Sequence, residues 1–257
     1  MTHALGPFNF STNHEIGLLT NAFDQPPVVM MTYNPPYYLD LVEGCGWTKA
    51  RDVYAFRISG RVPPPDRVRR ISEKVRERSR VRIRSLDVKQ FDSEIDLVRE
   101  VYNQAWSRNW GFVPLTEEEF RHTAKDLKLI LRPEWALVAE VDGRPVGFSL
   151  TLPNVYEAQI RVRNGRLFPT GLFRLLWGLK VRRPKSARVI TMGVIHDYQK
   201  RGIESIFYLE TWDRAHAAGV EWGELSWVLE DNDMMIAAAE AMGAERYKTY
   251  RVYERTL

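Results

Sequence analysis

The chain has 257 residues, 44% of them hydrophobic and 12% aromatic, which suffices for one large core or two small ones and excludes a disordered tail. A lone cysteine, Cys45, excludes an intramolecular disulfide and a cysteine metal cluster, and the five histidines (His3, His14, His122, His196, His216) show no paired ligand spacing, so no metal is expected. The net charge of +4 is uneven: residues 60 to 84 hold ten Lys/Arg against Asp66, Glu73 and Glu77, residues 159 to 187 hold eight and no acid, and the remainder is acidic.

In chain order, TNHEIGLLTNAF reads as a helix capped near Thr12 or Asn13, with Glu15 placed for a capping box. NPPYYLDLVEGCGWTKARDVYAFRI then runs from Asn34 through Gly46 to an alternating strand ending near Phe56. The Pro63-Pro64-Pro65 run followed by DRVRRISEKVRERSR reads as a boundary and a linker helix with a solvated basic face. VRIRSLDV (81–88) is a strand. FDSEIDLVREVYNQAWSRNW and TEEEFRHTAKDLKLIL are two helices, the second opened by a Thr116/Glu119 capping box. WALVAEV, the turn Asp142-Gly143-Arg144-Pro145 and VGFSLTL form a hairpin.

The next stretch, NVYEAQIRVRNGRLFPTGLFRLLWGLKVRRPKSA, is far longer than a hairpin loop. Within it GLFRLLWGLK is apolar and ends on the cluster Arg182-Arg183-Pro184-Lys185. An apolar helix with Phe173 and Trp177 beside basic residues suits an interfacial membrane element or a cover for a greasy substrate; a domain-contact helix with a solvated basic end is the competing reading.

From Arg188 the apolar run RVITMGVI breaks into HDYQKRG, and a helical pattern follows at once. The first turn of a helix leaves backbone N–H groups unpaired and carries partial positive charge, so the turn holding Gln199, Lys200, Arg201 and Gly202 is a candidate phosphate cradle. WGELSWVLE (222–230) is a strand, Asn232 a helix N-cap, DMMIAAAEAM a short helix, Gly243 its stop and RYKTYRVY a closing strand. This ending repeats the front of the chain. Asn34 to Gly46 spans 12 residues and Asn232 to Gly243 spans 11, while Gly46 to Phe56 and Gly243 to Tyr253 both span 10.

Gln199-Lys200-Arg201-Gly202-Ile203-Glu204, with Val194 and Tyr198 upstream, resembles the Gln/Arg-x-x-Gly-x-Gly/Ala cofactor loop of the GNAT N-acyltransferases. The resemblance implies an α/β (α+β) GNAT fold: a central mixed, mostly antiparallel sheet flanked by helices, with the loop between its fourth strand and third helix. Residues 81–257 then form a complete acyltransferase-like domain and 59–80 a linker helix. Residues 1–58 form a partial half-domain, each repeat copy looking like a fourth helix plus the last two strands and LGPFNFS like a fifth strand. The whole resembles the C-terminal part of bacterial tandem-GNAT proteins carrying a GPxNFSTN segment.

The same resemblance implies acyl-CoA or acetyl-CoA, or another phosphopantetheine thioester, as cosubstrate, with Met192, Val194, Gln199, Lys200, Arg201, Gly202 and Ile203 binding it. Glu204 departs from the family's small residue, and a carboxylate there repels a diphosphate. The acid tyrosine expected four residues before the helix-ending glycine is Ala239 here and Val42 in the front copy. No carboxylate lies on the fourth strand, so the base is unassigned; His196, Tyr156 and Glu157, with Asp197 and Glu140, are candidates by vicinity alone. Backbone amides from Thr191 to Val194 remain available to polarise a thioester carbonyl.

The expected activity is acyl transfer to an amine, a lipid-like one if the 168–185 helix is interfacial. The alternative is a catalytically degenerate GNAT module for binding or interaction. A nucleic-acid-binding module is disfavoured, because no helix-turn-helix or zinc pattern accompanies the charge. A half-domain exposes apolar strands unless something covers them, so packing on the second domain or a homodimer is expected. No 18-residue apolar run and no leader pattern is found. The expected location is cytoplasmic, with peripheral contact at the inner membrane face through 168–185.

Overall fold

Strand periodicity in the sequence carries directly into the sheet of the computed structural model, which describes residues 2–257. Four short strands come first: β1 (His3–Gly6), β2 (Phe8–Asn9), β3 (Glu15–Ile16) and β4 (Leu18–Leu19). Helix α1 (Tyr37–Gly44), the long strand β5 (Thr48–Ser59) and helix α2 (Asp66–Ser79) follow. Then come β6 (Val81–Ser85), α3 (Phe91–Trp106), α4 (Glu117–Lys128), β7 (Ala136–Val141) and β8 (Arg144–Pro153). A long insertion holds the short helices α5 (Tyr156–Gln159) and α6 (Gly171–Trp177) and a wide turn at Gly178–Arg182. The chain closes with β9 (Ser186–Val194), α7 (Ile203–Ala217), β10 (Trp222–Leu229), α8 (Asp233–Ala241) and β11 (Glu245–Thr256).

These strands form one sheet in the order β1-β11-β5-β10-β9-β8-β7-β6, with β4 also on β11, and a separate β2-β3 pair. All described pairings in the large sheet are antiparallel except β9 with β10. Val138, Ala139, Val146 and Leu152 are fully buried on β7 and β8 beneath α3 and α7. Each such side chain contributes roughly 1.5–3 kcal/mol relative to exposure, less for the alanine. The capping box at Thr116 and Glu119 forms as expected, with the Thr116 hydroxyl accepting from the Glu119 N–H and the Glu119 carboxylate accepting from the Thr116 N–H.

The segment expected to be a helix over TNHEIGLLTNAF is instead a turn followed by β3 and β4. Gly17 adopts φ +72, which breaks helical continuation, and Leu18 and Leu19 pair with Arg251 and Tyr250 of β11, leaving Leu19 fully buried. Each repeat copy also ends in one long strand rather than two, β5 and β11, of 12 residues apiece.

Those two strands are exchanged. β5 lies between β10 and β11, while β11 lies between β5 and β1, so the end of the front segment completes the sheet of the rear segment and the reverse. The boundary expected after residue 58 therefore falls at the end of a strand locked into the common sheet. Helix α2, read as a linker, packs along α7 through Arg69–Asp213 and Arg76–Glu210 ion pairs of 2.7 and 2.8 Å.

Candidate active site

Strands β9 and β10 are parallel partners only from Ser186/Trp222 to Val189/Leu225. Beyond that point they splay. One residue further, at Ile190, the register of β9 against β8 slips by a residue, the signature of a β-bulge. From Ile190 to Val194 the β9 edge that faced β10 has no strand partner among the described residues; the Val194 carbonyl is taken by Gln199 Nε2, and the amides of this stretch are left to meet a ligand.

A cavity of about 700 Å³ opens in this fork. On one side it is walled by Thr191, Met192, Gly193 and Val194 of β9 and by Trp227, Val228 and Leu229 of β10. Above the fork, Lys200, Gly202, Glu204, Ser205 and Tyr208 of the loop and α7 face Met234, Met235 and Ala238 of α8. On the other side it continues into an apolar slot under α3 and α4, walled by Ile95, Val98, Phe120, Leu127, Leu131 and Leu150. Gly193 is required there, because a Cβ on it would lie 2.4 Å from the Trp106 ring.

The N-terminal segment closes this slot. Thr12 Oγ1 donates to the Gly111 carbonyl at 2.7 Å, Asn13 Nδ2 donates to the Val113 carbonyl at 2.6 Å, and Tyr102 OH donates to Asn13 Oδ1 at 2.8 Å. Burial pushes the Tyr102 phenol up to about 12, so at neutral pH it is a donor. Residues misread as a helix are thus a wall of the cavity.

At the base of the fork sits a buried polar cluster. Arg188 Nε donates to Ser226 Oγ at 2.9 Å, and Ser226 Oγ donates to Glu224 Oε1 at 2.5 Å; the second Glu224 oxygen accepts from Tyr247 OH. Arg188 Nη1 donates to the Val29 and Met30 carbonyls at 3.0 and 2.8 Å. Glu224 is fully buried and Arg188 nearly so, and burial lowers the Arg188 guanidinium from its ordinary value against the opposing pull of Glu224. Arg188 and Ser226 are residues of the cavity wall, as are Thr191 and Trp227, whose Oγ1 and Nε1 atoms are themselves buried with no hydrogen-bond partner among the described residues.

The residues expected to bind cosubstrate divide. Met192, Val194, Gln199, Lys200 and Gly202 line the cavity; Arg201 does not, its guanidinium lying 4.6 Å over the Tyr198 ring, and Ile203 is a fully buried core residue. Gln199 braces the loop, its Nε2 donating to the Val194 carbonyl at 2.9 Å. Gly202 has φ +82 and a Cβ there would stand 2.7 Å from Val75 of α2, so strain and a clash both demand glycine. Strand amides left without a strand partner beside the cavity suit a thioester. The Glu204 carboxylate does not suit a diphosphate, and burial raises its pKa.

None of the proposed bases reaches the cavity wall. His196 holds Ser107 Oγ at 3.0 Å and Gln199 Oε1 at 3.3 Å. Glu157 caps the start of β9, accepting from the Lys185 and Ser186 amides at 3.0 and 2.8 Å, Tyr156 packs on the core, and Glu140 pairs with Arg84 at 2.6 Å. Asp197 stands in the short turn after β9. No group of three or more His, Cys, Asp or Glu suited to a metal occurs among the described residues.

Sequence reasoning missed Ser226, Glu224 and Tyr208. The alternation Glu224-Leu225-Ser226 placed two polar side chains on one face of an otherwise apolar strand, a signal that was available. Tyr208 follows Glu204 by one helical turn and so shares its face. Its hydroxyl contacts Met235 Sδ at 3.2 Å, and burial, then the Glu204 charge, raises its pKa, keeping it protonated. It stands beside α8, where Ala239 replaces the family's tyrosine and is itself buried.

Splayed parallel strands, a bulge at the fork and a glycine loop feeding a helix define a GNAT-fold protein. Solved structures agree: a GCN5-related N-acetyltransferase from Sphaerobacter thermophilus superposes with TM-score 0.57 at 16% identity, covering 88% of this chain and 59% of that one. The glucosamine N-acetyltransferase region of a fungal multi-domain β-N-acetylglucosaminidase gives 0.54 at 14% identity, covering 85% and 22%. No protein-family model matches the sequence. Among curated proteins, the bacterial ceramide synthase of Caulobacter vibrioides is 42% identical over 260 residues, spanning 100% of this chain and 67% of that protein. Protein YghO of Escherichia coli is 38% identical over 259 residues, spanning 98% and 65%. The chain belongs to the family of the bacterial ceramide synthase, and it spans about two thirds of the length of these relatives.

Proposed function

We propose that this chain transfers an acyl group from a phosphopantetheine thioester to the amine of a long-chain lipid. The observation that carries the reading is the single cavity of about 700 Å³ that joins the β9/β10 fork to the apolar slot under α3 and α4. Small polar amines need no such slot, whereas an alkyl chain gains roughly 0.8 kcal/mol per buried methylene in it. The name of the Caulobacter relative supports the same chemistry, since making a ceramide means acylating a long-chain amine.

In this reading the amine nitrogen bonds to the thioester carbonyl carbon, the C–S bond breaks, and the amine's surplus proton is balanced by the proton taken up by the departing thiolate. Unpaired β9 amides after Ile190 polarise the carbonyl. Ser226 Oγ passes the amine proton on to Glu224, with which it is already hydrogen-bonded. Tyr208, kept protonated by burial, gives its proton to the thiolate, and the proton taken from the amine makes up that loss over the turnover. Trp227 packs against the lipid near its amine from the β10 wall of the cavity.

Incubating the purified protein with long-chain acyl-CoA and a sphingoid-type amine, and reading the amide by mass spectrometry, tests this. Ser226→Ala is expected to lower turnover about a hundredfold, and Trp227→Phe to raise the KM for the amine. Absence of amide for every acyl and amine chain length would remove the reading. Thermal stabilisation by acyl-CoA without turnover would favour the non-catalytic module that Glu204 and Ala239 otherwise suggest.

A further inference from the structure

We propose that the insertion between β8 and β9 is a docking surface for an anionic lipid bilayer. Its side chains are turned outward in a way that no core requires. Phe168 is 70% exposed, Phe173 68%, Val181 56% and Trp177 50%, with Leu167 and Leu176 also open to solvent. Phe173 and Trp177 stack at 6.0 Å between ring centroids, one helical turn apart on α6, and so present a single apolar blade.

The roots of the insertion are anchored, which makes the exposure a property of the blade. Gly178 lies against Ala158, where a Cβ would come within 2.8 Å, and Leu179 packs on the main core. Glu157 ties the turn to the amides that begin β9.

Charge selects the partner. Eight Lys/Arg lie between residues 159 and 187 with no acid among them, and none of the eight belongs to an ion pair among the described residues. Elsewhere the same chain pairs its arginines freely, as in Arg69–Asp213 and Arg84–Glu140. An unpaired basic rim around exposed aromatics is complementary to a surface that offers anionic headgroups outside and acyl chains within. Contact with a protein of mixed charge would leave most of these cations without partners.

The location suits delivery. Leu150 of β8 lines the cavity, and Pro153, three residues on, is where the insertion leaves the strand. At about 3.3 Å per residue the blade's root is roughly 10 Å from the apolar slot. The docking inference stands on the surface alone, so its failure would leave the acyl-transfer assay unaffected.

Co-sedimentation of the whole chain with vesicles of equimolar phosphatidylglycerol and phosphatidylcholine, against phosphatidylcholine alone, tests it. Binding is expected to need phosphatidylglycerol and to drop at least about tenfold in the Phe173→Ser/Trp177→Ser variant. It is also expected to weaken toward the phosphatidylcholine level near 1 M salt, where screening acts over about 3 Å. Arg182→Gln/Arg183→Gln, on exposed side chains, supplies a second variant that keeps the apolar blade and is expected to lose the lipid-charge preference. Equal binding by wild type and the aromatic double variant, with unchanged thermal unfolding, would overturn the proposal. So would light scattering that shows a dimer which the aromatic variant splits, since the blade would then face a second copy.

Discussion

The two helix–strand copies, α1–β5 and α8–β11, share spacing and a positive-φ glycine, Gly46 and Gly243, yet they are held in the molecule by different means. Asn232 caps α8 by accepting from the Met235 N–H, and α8 lays Met234, Met235 and Ala238 against the cavity. Asn34 caps nothing. It is buried, with its Oδ1 accepting from the Leu19 N–H at 2.7 Å and its Nδ2 donating to the Leu19 carbonyl at 3.3 Å, and α1 has no buried residue. One spacing thus serves a cavity-facing helix in one copy and a surface helix in the other. Local sequence makes the module; what packs on it sets its use.

Each copy is also fastened by the other. Glu43 of α1 accepts from Tyr253 OH of β11 at 3.1 Å, while Lys49 and Arg51 of β5 pair with Glu230 and Asp231 ahead of α8. The sharpest way to break the comparison is to remove residues 1–59. That takes β5 from between β10 and β11, and residues 60–257 are expected to lose cooperative unfolding by circular dichroism; a sharp transition would show the halves to be independent.

Matched substitutions come next. Asn34→Ala leaves the buried Leu19 amide without its partner and is expected to cost roughly 2 kcal/mol. Asn232→Ala removes only a cap and is expected to cost about 1 kcal/mol in denaturant titrations. Equal costs would erase the distinction between the copies.

The seam between the copies titrates. Asp52 of β5 stands opposite Arg251 of β11. Burial on its own would raise the Asp52 carboxyl, but hydrogen bonds from Arg251 and Lys49 outweigh it and hold the pKa below its ordinary value. A depressed carboxyl stabilises fully above the unfolded pKa and loses that stabilisation as pH falls through the folded one. Asp52→Asn is therefore expected to lower the melting temperature at neutral pH and to converge with wild type in acid.

The smallest effect, of opposite sign, lies above α8. Burial raises Glu204, so folding favours its protonated form and stability declines as pH rises from the unfolded pKa through the folded one. Glu204→Gln is expected to raise the melting temperature slightly at neutral pH, with no gain below the ordinary carboxylate range, and to tighten acyl-CoA binding. Weaker binding by the variant would show that Glu204 contacts the cosubstrate favourably.

The fold was legible where local and tertiary demands coincide. Alternation in RYKTYRVY, the capping box at Thr116 and the Asp142-Gly143 turn each fix an element within a few residues. Leu18 and Leu19 misled, because two leucines beside a cap fit a helix until a distant strand, β11, competes for them. In the site, Gly202 and Lys200 could be read from the loop, whereas the meeting of Arg188, Ser226 and Tyr247 depends on which strands become neighbours. Strand exchange between repeats leaves no mark in either repeat's own sequence.

That exchange bears on how the molecule is made. His3 of β1 lies opposite Thr256 of β11, and β5 cannot be enclosed until β11 arrives. Pairings of such sequence separation carry a high loop-closure cost and form late. During synthesis β1 and β4 wait, unpaired, until β11 has been made. The apolar face of β5 is then the stretch most in need of protection in the newborn chain.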